Sequence, residues 1–186
     1  MGYPMEEKDS YDGWLKKNMG EVIDALELSD LQKRFLRSRW LEQLLWQEKK
    51  AKSAQIRYYI LRLVAIVGGV IVPALVGLKI GDEGTEGLVR WVTFVLGLMV
   101  AISVSVEEFF HYGERWRHYR RNAELLKMEG WQFFQLAGPY QQLERHPQAY
   151  QEFAGRVEKI LGQELDVYMA QIAADKKGNQ EPEKTG

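Results

Sequence analysis

The stretch that decides the fold reads LVAIVGGVIVPALVGL and occupies residues 63–78. A second run of the same kind, WVTFVLGLMVAISVSV, occupies residues 91–106. Neither run contains a charged residue, so neither would have a charged face as a helix. The hydrocarbon core of a bilayer takes roughly 20 apolar helical residues, and long basic side chains at helix ends reach the headgroups. We therefore predict membrane-spanning helices over residues 60–80 and 88–106. The alternative is a helical hairpin buried inside a soluble protein.

The charged residues of the chain lie outside these two runs. They make up 27% of the 186 residues, and they lower the mean hydropathy to −0.36. No cysteine is present, which excludes disulfides, thiol catalysis and thiolate metal ligands. The near-neutral net charge of −1 argues against a nucleic-acid partner. Residues 1–55 hold no apolar segment followed by a cleavage site, so we expect no cleavable signal peptide.

Basic residues are distributed unequally around the two runs. The stretch between the two apolar runs, residues 79–90, has two basic residues, Lys79 and Arg90, against three acidic ones. Basic residues accumulate on the side of a membrane protein that stays in the cytoplasm. We therefore expect a bacterial plasma (inner) membrane protein with both termini cytoplasmic. The basic residues that flank the spans on the cytoplasmic side are Lys49, Lys50, Lys52, Arg57, Arg62, Arg115, Arg117, Arg120, Arg121 and Lys127.

Helix-start and helix-stop signals divide the rest of the chain. Ser29 and Gln32 have the spacing of a capping box, and no Gly or Pro follows before Gly68. Gly138-Pro139 is a helix stop, and Pro147 fits the first turn of a further helix. The predicted segments are an N-terminal segment with a short helix (1–28), a stalk helix (29–59), the first span (60–80), an external loop (81–87), the second span (88–106), a second stalk helix (107–137), a C-terminal helix (147–174) and a disordered tail (175–186).

The predicted fold class is all-α. It is a two-transmembrane helical hairpin whose long helices extend into a cytoplasmic helical bundle. Small residues recur every four positions in both spans and allow helix backbones to approach closely. These stripes either pack the hairpin together, or the second one lines a pore. Two spans cannot enclose a channel, so a pore requires a homo-oligomer. The stripes are Ala65, Gly69, Pro73 and Gly77 in the first span and Thr93, Gly97, Ala101 and Ser105 in the second.

Glu107 and Glu108 follow directly on the second span, where a charge is costly unless it faces water or a partner. In an oligomer, one of them would repeat as a ring of carboxylates, which attracts inorganic cations. The alternative is an ion pair with Arg57 or Arg62. Glu108 shares a helix face with Ser105, so it is the better candidate. The predicted ion pathway comprises Glu107, Glu108, Ser105, Ala101, Gly97 and Thr93.

Two further charged sets have both a functional and a plain interpretation. Asp82, Glu83 and Glu86 would form an outer vestibule that concentrates cations, or a solvated loop. The basic set near residue 118 would bind anionic lipid headgroups, or would pair with glutamates of the bundle. Those glutamates are Glu21, Glu27 and Glu42. The headgroup-binding candidates are Arg115, Arg117, Arg120 and Arg121.

No motif in the sequence indicates catalysis. His111, His118 and His146 lack the spacing of metal ligands, and no nucleophile with a neighbouring base is apparent. No phosphate-binding or dinucleotide-binding loop is present. We expect neither an enzyme nor a bound cofactor or metal.

Five short motifs, in their order around the hairpin, resemble a known bacterial family. They are Arg39-Trp-Leu-Glu-Gln43, Arg57-Tyr-Tyr-Ile-Leu-Arg62, Pro73-Ala-Leu-Val-Gly77, Trp116-Arg-His-Tyr-Arg120 and Ala123-Glu-Leu-Leu-Lys127. Over residues 34–162 the chain is similar to the SLATT family (SMODS and SLOG associating two-TM effectors) and its free-standing relatives. The resemblance implies an all-α protein that forms oligomeric pores, often as the effector of a nucleotide-triggered conflict system. This chain carries no fused sensor domain, so a housekeeping ion pathway fits equally.

Two functions are therefore expected from the sequence. The first is a homo-oligomeric, cation-conducting membrane pore whose cytoplasmic bundle assembles or gates it. The alternative is a membrane-anchored structural or adaptor protein that recruits a cytoplasmic partner.

Overall fold

The computed structural model describes residues 11–77 and 83–178, with side chains over 13–77 and 87–163. These residues are all-helical, and no strand occurs among them. The elements in chain order are α1 (Tyr11–Ala25), α2 (Asp30–Phe35), a π-helical segment (Leu36–Leu41), α3 (Glu42–Gly77), α4 (Glu83–Phe110), α5 (Tyr112–Phe134), a 3-10 turn (Gly138–Tyr140) and α6 (His146–Gly178).

The chain is helical without interruption from Asp30 to Gly77. The capping box at its start is present, with the Ser29 side chain accepting from the Gln32 amide and the Gln32 side chain accepting from the Ser29 amide. Within this stretch, the amide of Glu42 donates to the carbonyl of Arg37, five residues back. That longer ring defines the π-helical segment, which the sequence did not indicate.

The second long helix differs from the prediction at both ends and in its middle. It begins at Glu83, inside the expected loop 81–87, and the expected continuous stalk 107–137 is broken at His111. His111 has a φ of 48°, outside the helical range, and α4 ends at the residue before it. The His111 amide donates a hydrogen bond to the carbonyl of Glu107. Residues 78–82, including Asp82, lie outside the described part.

Helix α5 ends at Phe134, before the predicted Gly138-Pro139 stop. Leu136 takes the left-handed conformation (φ 48°), the Ala137 amide donates to Gln132 and the Leu136 amide donates to Phe133. This pair of bonds is a Schellman motif, which glycine usually forms. The last helix, predicted at 147–174, extends from His146 to Gly178, so the first residues of the expected tail 175–186 are helical.

The chain divides into two compact units. The first, here called the bundle unit, comprises Met1–Glu48 and Arg121–Gly186. Every helix of the unit except α2 contributes buried residues to its core, at spacings of three, four or seven that keep one helix face inward. The core residues are Leu15, Met19 and Ile23 of α1, Leu36, Trp40, Leu41 and Leu44, Ala123, Leu126 and Phe133 of α5, Tyr140, and Ala149, Phe153 and Val157 of α6.

Aromatic rings fill the centre of the bundle unit. Phe133 stacks on Phe153 with ring centroids 4.3 Å apart. Trp40 packs against Gly130, and its indole Nε1 donates to the carbonyl of Leu126 at 3.0 Å. The burial of this tryptophan is possible because its one polar group has a partner. The bundle unit thus has a conventional core of buried aromatic and aliphatic side chains.

The second unit, here called the apolar unit, comprises Lys49–Arg120. It contains most of α3, all of α4 and the first part of α5. Two helical stretches, Asp30–Gly77 and Gly87–Phe110, contain windows long and apolar enough to cross a membrane. Only 6% of each window is buried inside the chain. A hairpin packed into a soluble core would be mostly buried, so the structure does not support that alternative.

Candidate functional site at the break between α4 and α5

In the apolar unit, buried or half-buried residues recur along one side of α3 and along one side of α4 at alternating spacings of three and four. Such spacing is that of left-handed helix pairs, in which side chains of one helix fit between those of the other. At the contact, a Cβ added to Gly68 would lie 2.2 Å from Cγ2 of Val100. The buried or half-buried positions include 51, 54, 58, 61, 65, 68, 72 and 75 of α3 and 89, 93, 96, 100, 103 and 107 of α4.

The predicted four-residue stripes share only Ala65 and Thr93 with the positions given above. Among the described residues, no atom outside the helix's own nearby backbone lies within 4 Å of a Cβ added to Gly69, Gly77 or Gly97. Because four residues turn a helix by about 400°, a stripe spaced by four drifts around the helix, whereas alternating threes and fours stay on one side. The packing of the two helices therefore uses Gly68 rather than Gly69.

The break itself is held by Glu107. Its Oε1 accepts a hydrogen bond from the backbone amide of Gly113 at 3.2 Å, in the first turn of α5. The carboxylate thus caps a free amide at a helix N-terminus, where negative charge is favourable. The other oxygen, Oε2, is buried and meets no donor in the described part of the chain. No ion pair joins Glu107 to Arg57 or Arg62 there.

Gly113 is required where it stands. A Cβ at this position would lie 2.8 Å from Cε2 of Tyr58 and 3.3 Å from Oε1 of Glu107. The glycine lets α5 begin directly against α3 while its amide remains accessible to the carboxylate. The sequence predicts a continuous stalk helix across Gly113. Histidine tolerates positive φ more readily than most residues, but His111 alone does not mark a break in the sequence.

Glu107 and Glu108 point in different directions because neighbouring helical residues are about 100° apart. Glu107 is half-buried, whereas Glu108 is exposed, together with Ala101 and Ser105 of the predicted ion pathway. Ser105 bonds only within its own helix, to the carbonyl of Ala101.

The other two predicted pathway residues are half-buried. Thr93 likewise bonds within its helix, to the carbonyl of Val89, and Gly97 lies near it. The six candidates are therefore not brought to one face. Ala101, Ser105 and Glu108 form what is here called the outer face of α4.

An aromatic and basic cluster surrounds the break. Tyr58 stacks on Trp116 with ring centroids 6.4 Å apart. The guanidinium carbon of Arg57 lies 5.6 Å from the ring centroid of Tyr112, a cation–π distance. Residues 57–59 of α3 thus lie beside residues 112–116 of α5.

The remaining predicted charged sites are placed as follows. Arg115, Arg117, Arg120 and Arg121 are all exposed. No ion pair with a described residue involves Arg115, Arg117 or Arg121, so the expected pairing with Glu21, Glu27 or Glu42 is not seen for these three. Glu83 and Glu86 lie on the helical backbone of α4, and their side chains are outside the described part. Within the described residues, no group of three His, Asp or Glu side chains could hold a metal ion.

A buried polar network in the bundle unit is centred on Glu129. Glu129 is 1% exposed and accepts from the Tyr140 hydroxyl and from Nε of Arg156, the latter at 2.7 Å. Burial, reinforced by the hydrogen bond to Glu129, raises the pKa of Tyr140, which keeps the phenol protonated as a donor. The bond to Glu129 likewise raises the pKa of Arg156. The carboxylate thus has two internal donors, and the network holds the α5–α6 connection in place.

A family model described as "Protein of unknown function (DUF4231)" matches residues 42–148, more than half of the 186-residue chain. The match contains α3, α4, α5 and the break between them. No curated protein matches the chain, and no solved structure matches it.

Proposed function

Because the chain belongs to the DUF4231 family, whose function is unknown, we propose a function from its own side chains: a homo-oligomeric membrane pore that conducts cations. The observation that carries this proposal is the outer face of α4. Ala101, Ser105 and Glu108 are exposed there, on a helix whose large apolar side chains are exposed as well. A bilayer accommodates the apolar side chains, but it does not accommodate the carboxylate.

The exposed apolar area supports the proposed membrane location. Leu63, Val70 and Val76 of α3 are 62%, 69% and 72% exposed, and Trp91 and Phe94 of α4 are 68% and 62% exposed. Each such side chain gains about 1.5–3 kcal/mol when it leaves water. Lipid tails are the surroundings that provide this gain along two adjacent helices. In the proposal, the basic ends lie in the cytoplasm of a bacterial cell, and the α3–α4 connection lies outside.

The exposed carboxylate of Glu108 supports the proposed oligomer. A charged side chain in contact with lipid costs several kcal/mol, so it turns to water, to headgroups or to a partner. Symmetry-related copies of α4 around an axis would turn their outer faces to a shared aqueous path. Glu108 would then form a ring at the cytoplasmic mouth, with Ser105 and Ala101 above it. Glu107 takes no part in this ring, since it caps α5.

The resemblance to SLATT effectors adds a context to this proposal. The resemblance implies oligomeric membrane pores, and the bundle unit would then be the assembly or gating element. Either regulated killing or ion homeostasis would use such a pore. The acidic residues Asp82, Glu83 and Glu86 would concentrate cations at the outer mouth.

The test is a measurement of single-channel currents. The purified full chain is placed in a planar bilayer under a salt gradient, and the reversal potential reports cation against anion permeability. We expect discrete openings with a cation-sided potential, which Glu108→Gln moves towards zero. The matched control is Glu114→Gln, which removes an equal charge from an exposed position at the start of α5. An equal shift in both variants, or no shift in Glu108→Gln, would remove Glu108 from the path.

The alternative function is a membrane-anchored adaptor. It is favoured by the bundle unit, where large apolar side chains are exposed although a complete core exists. Leu31 is 76% exposed, Met128 49% and Trp131 45%. Silence in the planar bilayer, for protein shown to be inserted and oligomeric, would favour this role over conduction.

A further inference from the structure

One end of the apolar unit is strongly basic. Residues 49–62 contain five basic and no acidic residues, and residues 107–120 contain three basic and three acidic ones. The whole chain, by contrast, has a net charge of −1. At the other end of α4, Arg90 is the one basic side chain that the structure describes, and it too is exposed.

Contacts between α3 and α5 bring basic residues of both stretches to the same height along the helices. Arg57 lies over the ring of Tyr112, and Tyr58 lies against Gly113 and Trp116. Because helical residues turn by about 100° each, Arg57 and Arg62 point to different sides of α3, and Arg115 and Arg117 point to different sides of α5. These four arginines, here called the basic collar, are distributed around the end of the apolar helices.

The collar arginines are available for a ligand. All four are exposed, and none forms an ion pair with a described residue. Large aromatic side chains at the same level are exposed beside them: Tyr59 is 52%, Phe109 78% and Phe110 41% exposed. Aromatic rings next to guanidinium groups, at the end of an apolar helix, match the boundary between lipid tails and headgroups. Guanidinium groups bind phosphate in a fork of two N–H donors.

We infer that the basic collar of Arg57, Arg62, Arg115 and Arg117 binds the headgroups of anionic phospholipids in the leaflet that surrounds the α4–α5 break. The occupant is a lipid surface rather than a protein partner, because the charged groups and the exposed rings share one level of exposed apolar helices. This inference rests on the membrane location in the proposed function, and it does not depend on ion conduction. It extends the sequence prediction by adding α3 to the binding surface.

The test compares lipids at the surface of the inserted protein. The full chain is reconstituted in phosphatidylcholine vesicles, and spin-labelled phosphatidylglycerol and phosphatidylcholine are compared by electron paramagnetic resonance. We expect the protein to prefer phosphatidylglycerol severalfold, with a preference that salt weakens. Replacing the four collar arginines by glutamine should bring the ratio towards one. Replacing them by lysine should retain most of it, which controls for folding.

Arg90→Gln is the matched control, since it removes an exposed arginine from the opposite end of α4. An equal loss in Arg90→Gln, or a wild-type ratio of one, would overturn the inference. Displacement of the labelled lipid by millimolar inorganic phosphate would also overturn it, because the site would then take a small anion. Protein that an alkaline carbonate wash removes from the vesicles would instead refute the membrane location itself.

Discussion

The bundle unit and the apolar unit bury opposite kinds of side chain. In the bundle unit the largest fully buried residues are Trp40, Tyr140, Phe133 and Phe153. Among the described residues of the apolar unit, only small residues are buried, and the large apolar side chains are exposed or half-buried. The buried positions there are Ala51, Ala54, Gly68, Ser103 and Gly113. This difference fits the proposed membrane location, because water drives large apolar groups inward, whereas lipid leaves close backbone approach as the main source of contact.

The strongest test of this contrast removes one large side chain from each unit. Phe133→Ala empties a fully buried site that stacks on Phe153, and we expect it to cost about 3–5 kcal/mol of unfolding free energy. Phe109→Ala in the apolar unit should cost far less, because Phe109 is 78% exposed. Urea titration in detergent, with hydrogen exchange followed in peptides of each unit, measures both. Equal losses would contradict the contrast.

Within the bundle unit, Trp131→Ala is the matched control for Phe133→Ala. Trp131 lies two residues away on α5 and is 45% exposed. Its loss removes a larger side chain from a partly solvated place, so we expect a much smaller change in stability. A loss as large as that of Phe133→Ala would show that the exposed rings also belong to the core.

The next test concerns close approach at a glycine, which occurs in both units. Gly130→Ala would place a Cβ 2.2 Å from Cζ2 of Trp40, and Gly68→Ala would place one 2.2 Å from Cγ2 of Val100. Each should cost about 1–3 kcal/mol because the neighbour cannot move freely. Thermal unfolding in detergent measures the change.

Two glycines with more room serve as controls for those substitutions. In the part of the chain that the structure describes, no atom outside the helix's own nearby backbone lies within 4 Å of a Cβ added to Gly155 of α6 or to Gly69 of α3. Alanine at either position should be neutral or should stabilise its helix by about 0.5–1 kcal/mol. If Gly69→Ala proved as costly as Gly68→Ala, the α3–α4 contact would follow the predicted four-residue stripe after all.

Sequence reasoning identified the helices better than their interruptions. Apolar runs without charge, a capping box and Pro147 are local signals, and α2, α3, α4 and α6 lie where such signals predicted a helix. The break at His111 and the end at Leu136 use non-glycine residues in the left-handed conformation. Such residues are stabilised by packing and capping from distant positions, so no local pattern marks them.

The candidate site shows the same limit. The pair Glu107 and Glu108 was visible in the sequence, and helix geometry alone assigned Glu108 to the face of Ser105. The capping role of Glu107 depends on Gly113, which depends in turn on the approach of Tyr58 from another helix. A contact between residues more than 50 positions apart leaves no trace in the spacing of either segment.

A smaller effect is expected from separating the two glutamates. Glu107→Ala removes the cap on the Gly113 amide and should cost about 1 kcal/mol, with faster hydrogen exchange in the first turn of α5. Glu108→Ala, one residue away and exposed, should leave that exchange unchanged. Mass spectrometry of peptides that cover residues 111–120 measures this. Equal protection in the two variants would show that the carboxylate of Glu107 does not hold the break.

The smallest expected effect concerns a surface ion pair of the bundle unit. Arg39 binds both carboxylate oxygens of Glu158, at 2.7 and 2.8 Å, and these hydrogen bonds lower the pKa of Glu158. A carboxyl whose pKa is lower in the folded state stabilises the fold above its unfolded pKa, near 4.3, and this contribution disappears as the pH falls. Both side chains are nearly half exposed, so the pair contributes about 0.2–1 kcal/mol. Glu158→Gln should therefore be less stable than the wild type at pH 7, and the difference should vanish as the pH falls through the lowered pKa of Glu158.

Glu144→Gln, at an exposed position without a described ion pair, should show no such dependence. A difference for Glu158→Gln that persisted in acid would mean that the side chain contributes through packing rather than through its charge.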